Sequence, residues 1–408
     1  MTGKDQLSVI IVGSGPAGLA TARVLREMCQ VTVYERRSPS VATGGQGIVN
    51  FPNATKIMNQ LGYDTERSGS VPIEGFRTLD KQGNIIFDTE ITFKERYGSP
   101  AVSHMRTDFR AELLRLATAP SKDLGIGGEP AKMVFDNGAQ DIDSEVGEIT
   151  LDDGTKTKAD AIIVADGIHS RLRPLIVGAD CPQPKKNGLT CCRVAVSVNQ
   201  AIEALGQLPD WWQSRETKEK RIQIFEARDG SDRVIVIYPL CHASYMNISY
   251  VFPTREGRES ADNSWYADGD QKGTMEIFDD YHPSLKALIG ASAKVKVWDL
   301  QDLEPLDRWT AGRAILIGDA AHAMTPMQGQ GANIGIEDAE AFRLLIEPGV
   351  TRDDVPAILK QIEKYRLPRA AAILNNTRKT SRGVSGGERY EVMNENCTYY
   401  GIFEAMKG

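Results

Sequence analysis

A short apolar stretch, Leu7 to Val12, runs straight into Gly13-Ser14-Gly15-Pro16-Ala17-Gly18, after which Ala17, Ala20, Val24 and Met28 recur at helical spacing. A strand that passes into a helix through three glycines spaced G-x-G-x-x-G constrains this chain more than any other feature. It predicts the opening of a parallel sheet with helices packed on it, an α/β architecture. Each glycine has its own task. Gly13 permits a tight turn, Gly15 lets the main chain approach a pyrophosphate, and Gly18 lets the helix pack closely on the strand. The free N–H groups and positive dipole end at the helix start, around Ala17, suit phosphates. Val31 to Tyr34 reads as the next strand and ends in Glu35, an acid placed to bind a ribose diol and to repel a 2′-phosphate. Glycines that merely punctuate a loop would not account for strand, motif, helix, strand and acid falling in this order.

A second glycine segment lies far downstream. Ala314 to Ile317 is another apolar run, followed by Gly318-Asp319-Ala320-Ala321-His322 and then by Pro326, Gly329, Gly331, Ala332 and Asn333. A carboxylate at a strand end, Asp319, suits sugar or ribityl hydroxyls. Gly329, Gly331 and Ala332 have almost no side chain, so a flat ring could lie against their main chain. Residues 332–345 read as a helix with Ile336, Ala339, Ala341 and Phe342 on its apolar side. The N–H groups at its start could face the pyrimidine edge of a flavin. Taken alone, this segment is equally a glycine-rich loop with no ligand. Taken with the first, it predicts one extended cofactor held at both ends, FAD. Between them, Ala161 to Val164 is a strand that ends in Asp166-Gly167, with Ser170, Arg171 and Arg173 beyond. From the residues alone Asp166 could simply cap the next helix, and the arginines could form a solvated rim.

The order G-x-G-x-x-G, then D-G-x-x-S-x-x-R from Asp166, then G-D-A-A-H-x-x-x-P-x-x-G-Q-G-x-N from Gly318 resembles the class A flavoprotein monooxygenases, the family of p-hydroxybenzoate and salicylate hydroxylases. Gly44-Gly45-Gln46-Gly47-Ile48 with Asn53 is similar to that family's loop beside the flavin. His104-Met105-Arg106 is similar to its arginine-bearing helix start, and Tyr365-Arg366-Leu367-Pro368-Arg369 to its C-terminal helix. The likeness spans nearly the whole chain and fades over 120–148, where a polar insertion is expected. It implies a Rossmann-like FAD-binding domain with a β-sheet substrate domain and C-terminal helices. It also implies FAD as cofactor and NAD(P)H and O₂ as co-substrates. The activity it implies is hydroxylation of a phenolic or related aromatic molecule through a flavin C4a-hydroperoxide. An FAD-dependent dehydrogenase or reductase on the same scaffold is the alternative. Trp211-Trp212 has neither the spacing nor the Ile-Pro of flavin-dependent halogenases.

By position, the resemblance gives cofactor contacts to Gly13, Gly15, Ala17, Gly18, Glu35, its neighbour Arg36, Gly47, Arg106, Asp166, Asp319, Gly329, Gly331, Ala332 and Asn333. Asp166 and Arg171 would serve the FAD domain and the use of NAD(P)H. Pro326 would shape the wall near the reacting flavin carbon. On the substrate side, Arg193 in Thr190-Cys191-Cys192-Arg193-Val194 matches a family strand that carries arginine, and Tyr238 in Tyr238-Pro239-Leu240 matches its strand end. An inward arginine could stabilise a phenolate or carboxylate, and a tyrosine could orient a phenol. A salt-bridged strand arginine and a core tyrosine are the plainer readings.

The cofactor domain is expected from 1–75, 100–178 and 296–348, the substrate domain from 76–99 and 179–295, and a helical segment from 349–408. Residues 187–200, 222–227, 233–240 and 245–252 read as antiparallel strands. Residues 255–273 read as a loop, 351–380 as helices and 382–388 as a glycine-rich break. A net charge of −7 with only short basic runs argues against nucleic acid as a partner. No apolar run is long enough to span a membrane. Six cysteines without a C-x-x-C pair argue against a metal site or disulfide framework, so a cytoplasmic enzyme is expected.

Overall fold

The structure is a computed structural model that describes residues 6–39, 47–254, 271–292, 295–380 and 386–407. The first strand, β1 (Ser8–Val12), is central to a six-stranded sheet. It pairs in parallel with β2 (Gln30–Tyr34) on one side and β12 (Ala161–Val164) on the other. Beyond β12 lies β19 (Ala314–Leu316), parallel, with the short β18 (Thr310–Ala311) antiparallel at the edge. Every residue of β12 and β19 is buried, which is what a parallel sheet covered on both faces demands of its sequence. The three strands β1, β12 and β19 are the apolar runs that precede Gly13, Asp166 and Gly318, so all three motifs emerge at the same edge of one sheet.

The other edge is β8 (Lys132–Val134), parallel to β2. Residues 120–148, expected as a polar insertion, hold this edge strand of the cofactor sheet. Only three residues long and headed by an exposed lysine, it has too little apolar periodicity to be seen in sequence. It leads into a small antiparallel sheet of β9 (Ala139–Asp143), β10 (Glu148–Leu151) and β11 (Lys156–Lys158).

A second large sheet has seven strands. In spatial order they are β17 (Lys296–Asp302), β13 (Lys185–Ser197), β16 (Tyr245–Pro253), β15 (Val234–Leu240), β14 (Ile222–Glu226), β5 (Gly75–Leu79) and β6 (Ile85–Glu90). β17 hydrogen-bonds to β13, which moves 296–302 out of the cofactor domain where sequence had put it. One face of this sheet buries Cys192, Val194, Phe225, Ile235, Ile237, Ile248 and Tyr250 against Phe278, Leu285 and Leu288 of the following helical region. Cys191, next to Cys192, faces the other way, as neighbours on a strand must. Part of the expected loop is helical, because Gln271–Ile277 forms a helix, while 255–270 lies outside the described residues. Likewise the expected break at 382–388 is a helix from Gly386 on, with 381–385 outside the described residues.

A third sheet of β3 (Gly47–Asn50), β7 (Ala101–Met105) and β4 (Val71–Ile73) joins the two large ones. His104 sits on β7, fully buried, with its Nδ1 2.7 Å from the Ser70 hydroxyl. Burial pushes its pKa down to about 3. In the unfolded chain it titrates near 6.5, so the folded state is increasingly penalised as pH falls from there toward 3. Unfolding free energy is expected to fall by about 1.4 kcal/mol per pH unit below 6 from this one residue. Denaturant titrations on a His104→Gln protein should show that slope removed above the carboxylate range; an unchanged slope would contradict the assignment.

Candidate cofactor and substrate site

A single cavity of about 1900 Å³ lies between the motif-bearing edge of the six-stranded sheet and one face of the seven-stranded sheet. That exceeds the 300–1,000 Å³ usual for one small ligand, so it has room for an extended cofactor and a second molecule.

The first wall is built by the glycines. Gly13 has φ +105, and a Cβ there would strike the Ala165 carbonyl of the neighbouring strand end. A Cβ on Gly18 would strike the Gly13 carbonyl, so this pair brings the helix Pro16–Leu25 down onto β1. Gly15 is different. Its backbone is ordinary (φ −71, ψ 176), and a Cβ would meet nothing within 4 Å. Its missing side chain is cavity space, directly at a helix N-terminus that has no side-chain cap. The Ala17 methyl lies 3.0 Å from where a Cβ on Gly318 would stand and 3.1 Å from one on Gly335. Small residues thus bring the first motif into contact with the third.

Glu35 accepts from the Ser14 N–H at 2.9 Å, the Ser14 hydroxyl at 2.7 Å and the Arg37 N–H at 3.0 Å. Burial alone would raise its pKa. The hydrogen bonds from Ser14 and Arg37 and the charge of Arg110 outweigh that and hold the carboxyl below its usual range. Of about four lone-pair sites on a carboxylate, three are used, which leaves one for a hydroxyl. Arg36 and Arg106 also line the cavity. Sequence reasoning missed Arg110. It sits one helical turn after Arg106 in the helix Arg106–Thr118 and clamps the first motif, with Nε 3.1 Å from the Ser14 carbonyl and Nη2 2.7 Å from its hydroxyl. The spacing of four from Arg106 was the available signal.

Asp166 accepts from the Arg171 N–H at 3.0 Å, while its Oδ1 is buried with no hydrogen-bond partner. Burial pushes its pKa up. A polar atom of this kind at a cavity wall fits a donor from a bound group. The two arginines beyond it separate. Arg171 is exposed, lines the cavity and pairs with Asp152 at 3.2 Å. Arg173 is buried and bonds to the Ile168 and Ala320 carbonyls, so the pair is not a solvated rim.

Asp319 begins the helical turn Asp319–His322 and lines the cavity with Met324, Pro326, Gly329, Gly331 and Ala332. Asn333 does not line it. Its buried side chain accepts from the Phe51 N–H at 2.8 Å and donates to the Val49 and Gly329 carbonyls, which ties β3 to the glycine turn. Behind this wall is a network that sequence did not reveal. Asp338 accepts from the Gly318 N–H at 3.0 Å, His322 Nε2 at 2.6 Å and Arg366 Nε at 3.0 Å. Its neighbour Glu337 binds Arg366, Arg369 and Asn53. Burial opposes ionisation of Asp338, but His322 and Arg366 override it and hold the pKa at about 2.

The opposite wall belongs to the seven-stranded sheet. Gly47 meets it at one corner: its N–H donates to Asn247 Oδ1 at 2.9 Å, and a Cβ would lie 2.6 Å from Tyr238 Cε2. Gly44 to Gln46 of the same loop lie outside the described residues. Tyr238 is buried at the cavity wall, and burial raises its phenol to about 12, so it stays a neutral donor. Arg193 reaches the same cavity with its guanidinium 5.2 Å from the Trp298 ring centre, and its Nε is buried without a hydrogen-bond partner. Both residues line the cavity, and Tyr238 is at the same time buried in a cluster with Val49 and Phe51.

The glycine cradle, the Glu35 acceptor and the orphaned Asp166 oxygen fit a dinucleotide at the first wall. The comparisons agree. Residues 6–377 match the family model described as an FAD binding domain, and the chain belongs to that family. It is an FAD-dependent monooxygenase, against the dehydrogenase alternative. Hispidin-3-hydroxylase of Neonothopanus nambi is 29% identical over 90% of this chain and 86% of its own length. The 6-hydroxynicotinate 3-monooxygenase of Bordetella bronchiseptica is 29% identical over 91% of this chain and 90% of its own. The crystal structure of CtdE in complex with FAD and substrate 4 shares the fold, with a TM-score of 0.81 at 22% identity over 98% of both chains. Among the described residues no helix is long and apolar enough to cross a membrane.

The two cofactor glycines should separate under substitution. Gly13→Ala is expected to destabilise even the flavin-free protein by at least about 2 kcal/mol, from positive φ and backbone collision together. Gly15→Val is expected to keep the flavin-free melting temperature and to lose FAD affinity by more than about tenfold. Melting curves and flavin titrations of the two proteins check this; a Gly15→Val protein that binds FAD normally would contradict it.

Proposed function

We propose that this monooxygenase uses NAD(P)H and O₂ to hydroxylate a phenolic or related aromatic small molecule that lies between the cofactor wall and the seven-stranded sheet. The observation that carries this reading is Arg193: a guanidinium at the cavity, stacked on Trp298, with a buried N–H that has no acceptor in the protein. A buried donor left unpaired is costly, and a phenolate, enolate or carboxylate oxygen would complete it.

In this reading Gly13, Gly15 and Ala17 cradle the FAD pyrophosphate, Gly18, which does not line the cavity, holds the helix behind them against β1, Glu35 holds the adenosine ribose, and Arg36 and Arg106 sit beside the phosphates. Asp166 and Asp319 bind hydroxyls or phosphate oxygens. Gly47, Gly329, Gly331 and Ala332 face the flavin ring, and Asn333 fixes the loop that carries it. The cofactor domain is the six-stranded sheet with its helices and the substrate domain the seven-stranded sheet, so the boundary set at 296 moves beyond Asp302. When bound, FAD supplies the two-electron reduction and the activation of O₂. The chain's own residues do the rest. Arg193 binds the substrate oxygen and favours its anionic form, which makes the ring a better nucleophile. Tyr238, neutral through the working pH range, donates a hydrogen bond that orients the ring. Pro326 and the small residues after it close the wall against water.

Phenols are screened by stimulated NAD(P)H oxidation and by the mass of the product. For a phenol that responds, Arg193→Met is expected to lower kcat/KM by about 10- to 100-fold, the worth of one hydrogen bond to a charged group. The rising limb of its pH profile should move to higher pH, because the phenolate is no longer favoured on binding. Unchanged kinetics in Arg193→Met would refute this placement of the substrate.

A further inference from the structure

We propose that the substrate is an elongated aromatic, polar at the reacting end and apolar along its body, that lies across the seven-stranded sheet from β13 to β5. This deepens the reading above and rests on it.

Strand registers place Arg193, Ser249, Val236, Ile224, Thr78 and Phe87 side by side in one row across six strands, and all six line the cavity. At the usual 4.7–4.9 Å between strands, Arg193 to Thr78 is four steps, about 19 Å. A single ring with its substituents covers about two of those steps. The row has a reactive end and a body. At the reactive end, Arg193 lies near Tyr238 and the corner where Gly47 touches the sheet. Along the body, Val236 and Ile224 are half-buried.

An antiparallel sheet with one face on a core normally turns polar residues outward on the other. Here the core face is complete, with Phe225, Ile235, Ile237 and Ile248 fully buried. Yet the outward face is also apolar at its centre. The neighbouring row is already roofed: Tyr238 and Ile222 are buried in a cluster with Val49 and Phe51. The row of Val236 and Ile224 lies at the edge of that roof and continues the cofactor cavity. Half-buried apolar side chains that line a cavity continuous with a reactive site mark a ligand bed. At the rim Arg233 is spent on Asp229 and Asp280.

The test uses the FAD-loaded protein and two probes: salicylate, a single ring, and trans-4-hydroxystilbene, a phenol with an extended apolar body. Calorimetry is expected to give at least tenfold tighter binding for the stilbene. Ile224→Trp, which fills the middle of the bed, should collapse that ratio at least tenfold. Thr78→Trp, at the end of the bed, should lower it as well, and serves if Ile224→Trp fails to load FAD. A wild-type ratio near one, or a ratio unchanged in both variants, would overturn the elongated bed. If Arg193→Met weakens neither probe, the sheet-face reading itself fails; if it weakens both while the ratio ignores the tryptophans, only the extension fails.

Discussion

Two adjacent buried carboxylates, Glu337 and Asp338, hold the parts of this molecule together. They sit on the helix Gly331–Ala341, which starts at the glycine turn facing the cavity. Asp338 fixes the Gly318 N–H, and with it the turn that presents Asp319. Through Arg366 both carboxylates reach the long helix Val355–Thr380, and through Asn53 Glu337 reaches the helix that follows β3. Two ionised carboxylates in a protein interior are tolerable only with every partner in place, and removal of one partner from such a group costs about 3–5 kcal/mol. The long helix Val355–Thr380 is therefore part of what shapes the cofactor wall.

The second constraint is close approach. Gly13, Gly18, Gly318 and Gly335 let one helix touch β1, the third motif and the helix behind it. The result is a rigid cradle at the edge of the parallel sheet, where ligands of open α/β folds bind. The seven-stranded sheet faces that cradle with a surface that is neither core nor solvent. In the proposed reading a second molecule covers its half-buried Val236 and Ile224 and meets the buried Nε of Arg193.

Much of this was legible from residues. Glycine spacing, the apolar runs before each motif and Glu35 depend on local geometry, which sequence carries directly. What escaped depends on distant partners. Arg110 binds Ser14 across 96 positions, and Asp338 looks like any acid on a helix until Arg366 and His322 surround it. β8 is too short to show periodicity, and nothing local in β17 says which sheet it joins. The helix at Gln271–Ile277 was masked by the polar composition before it. Asn333 was expected to contact the cofactor, but its side chain serves the loop and not the cavity wall.

In the proposed reading a flavin and an aromatic ring share one cavity, so that oxygen passes from one to the other. Turnover of a responsive phenol under isotopically heavy O₂, followed by mass spectrometry, tests it most directly. One heavy oxygen atom is expected in each product molecule for each NAD(P)H consumed. A product that is oxidised or reduced with no heavy oxygen in it would contradict the account.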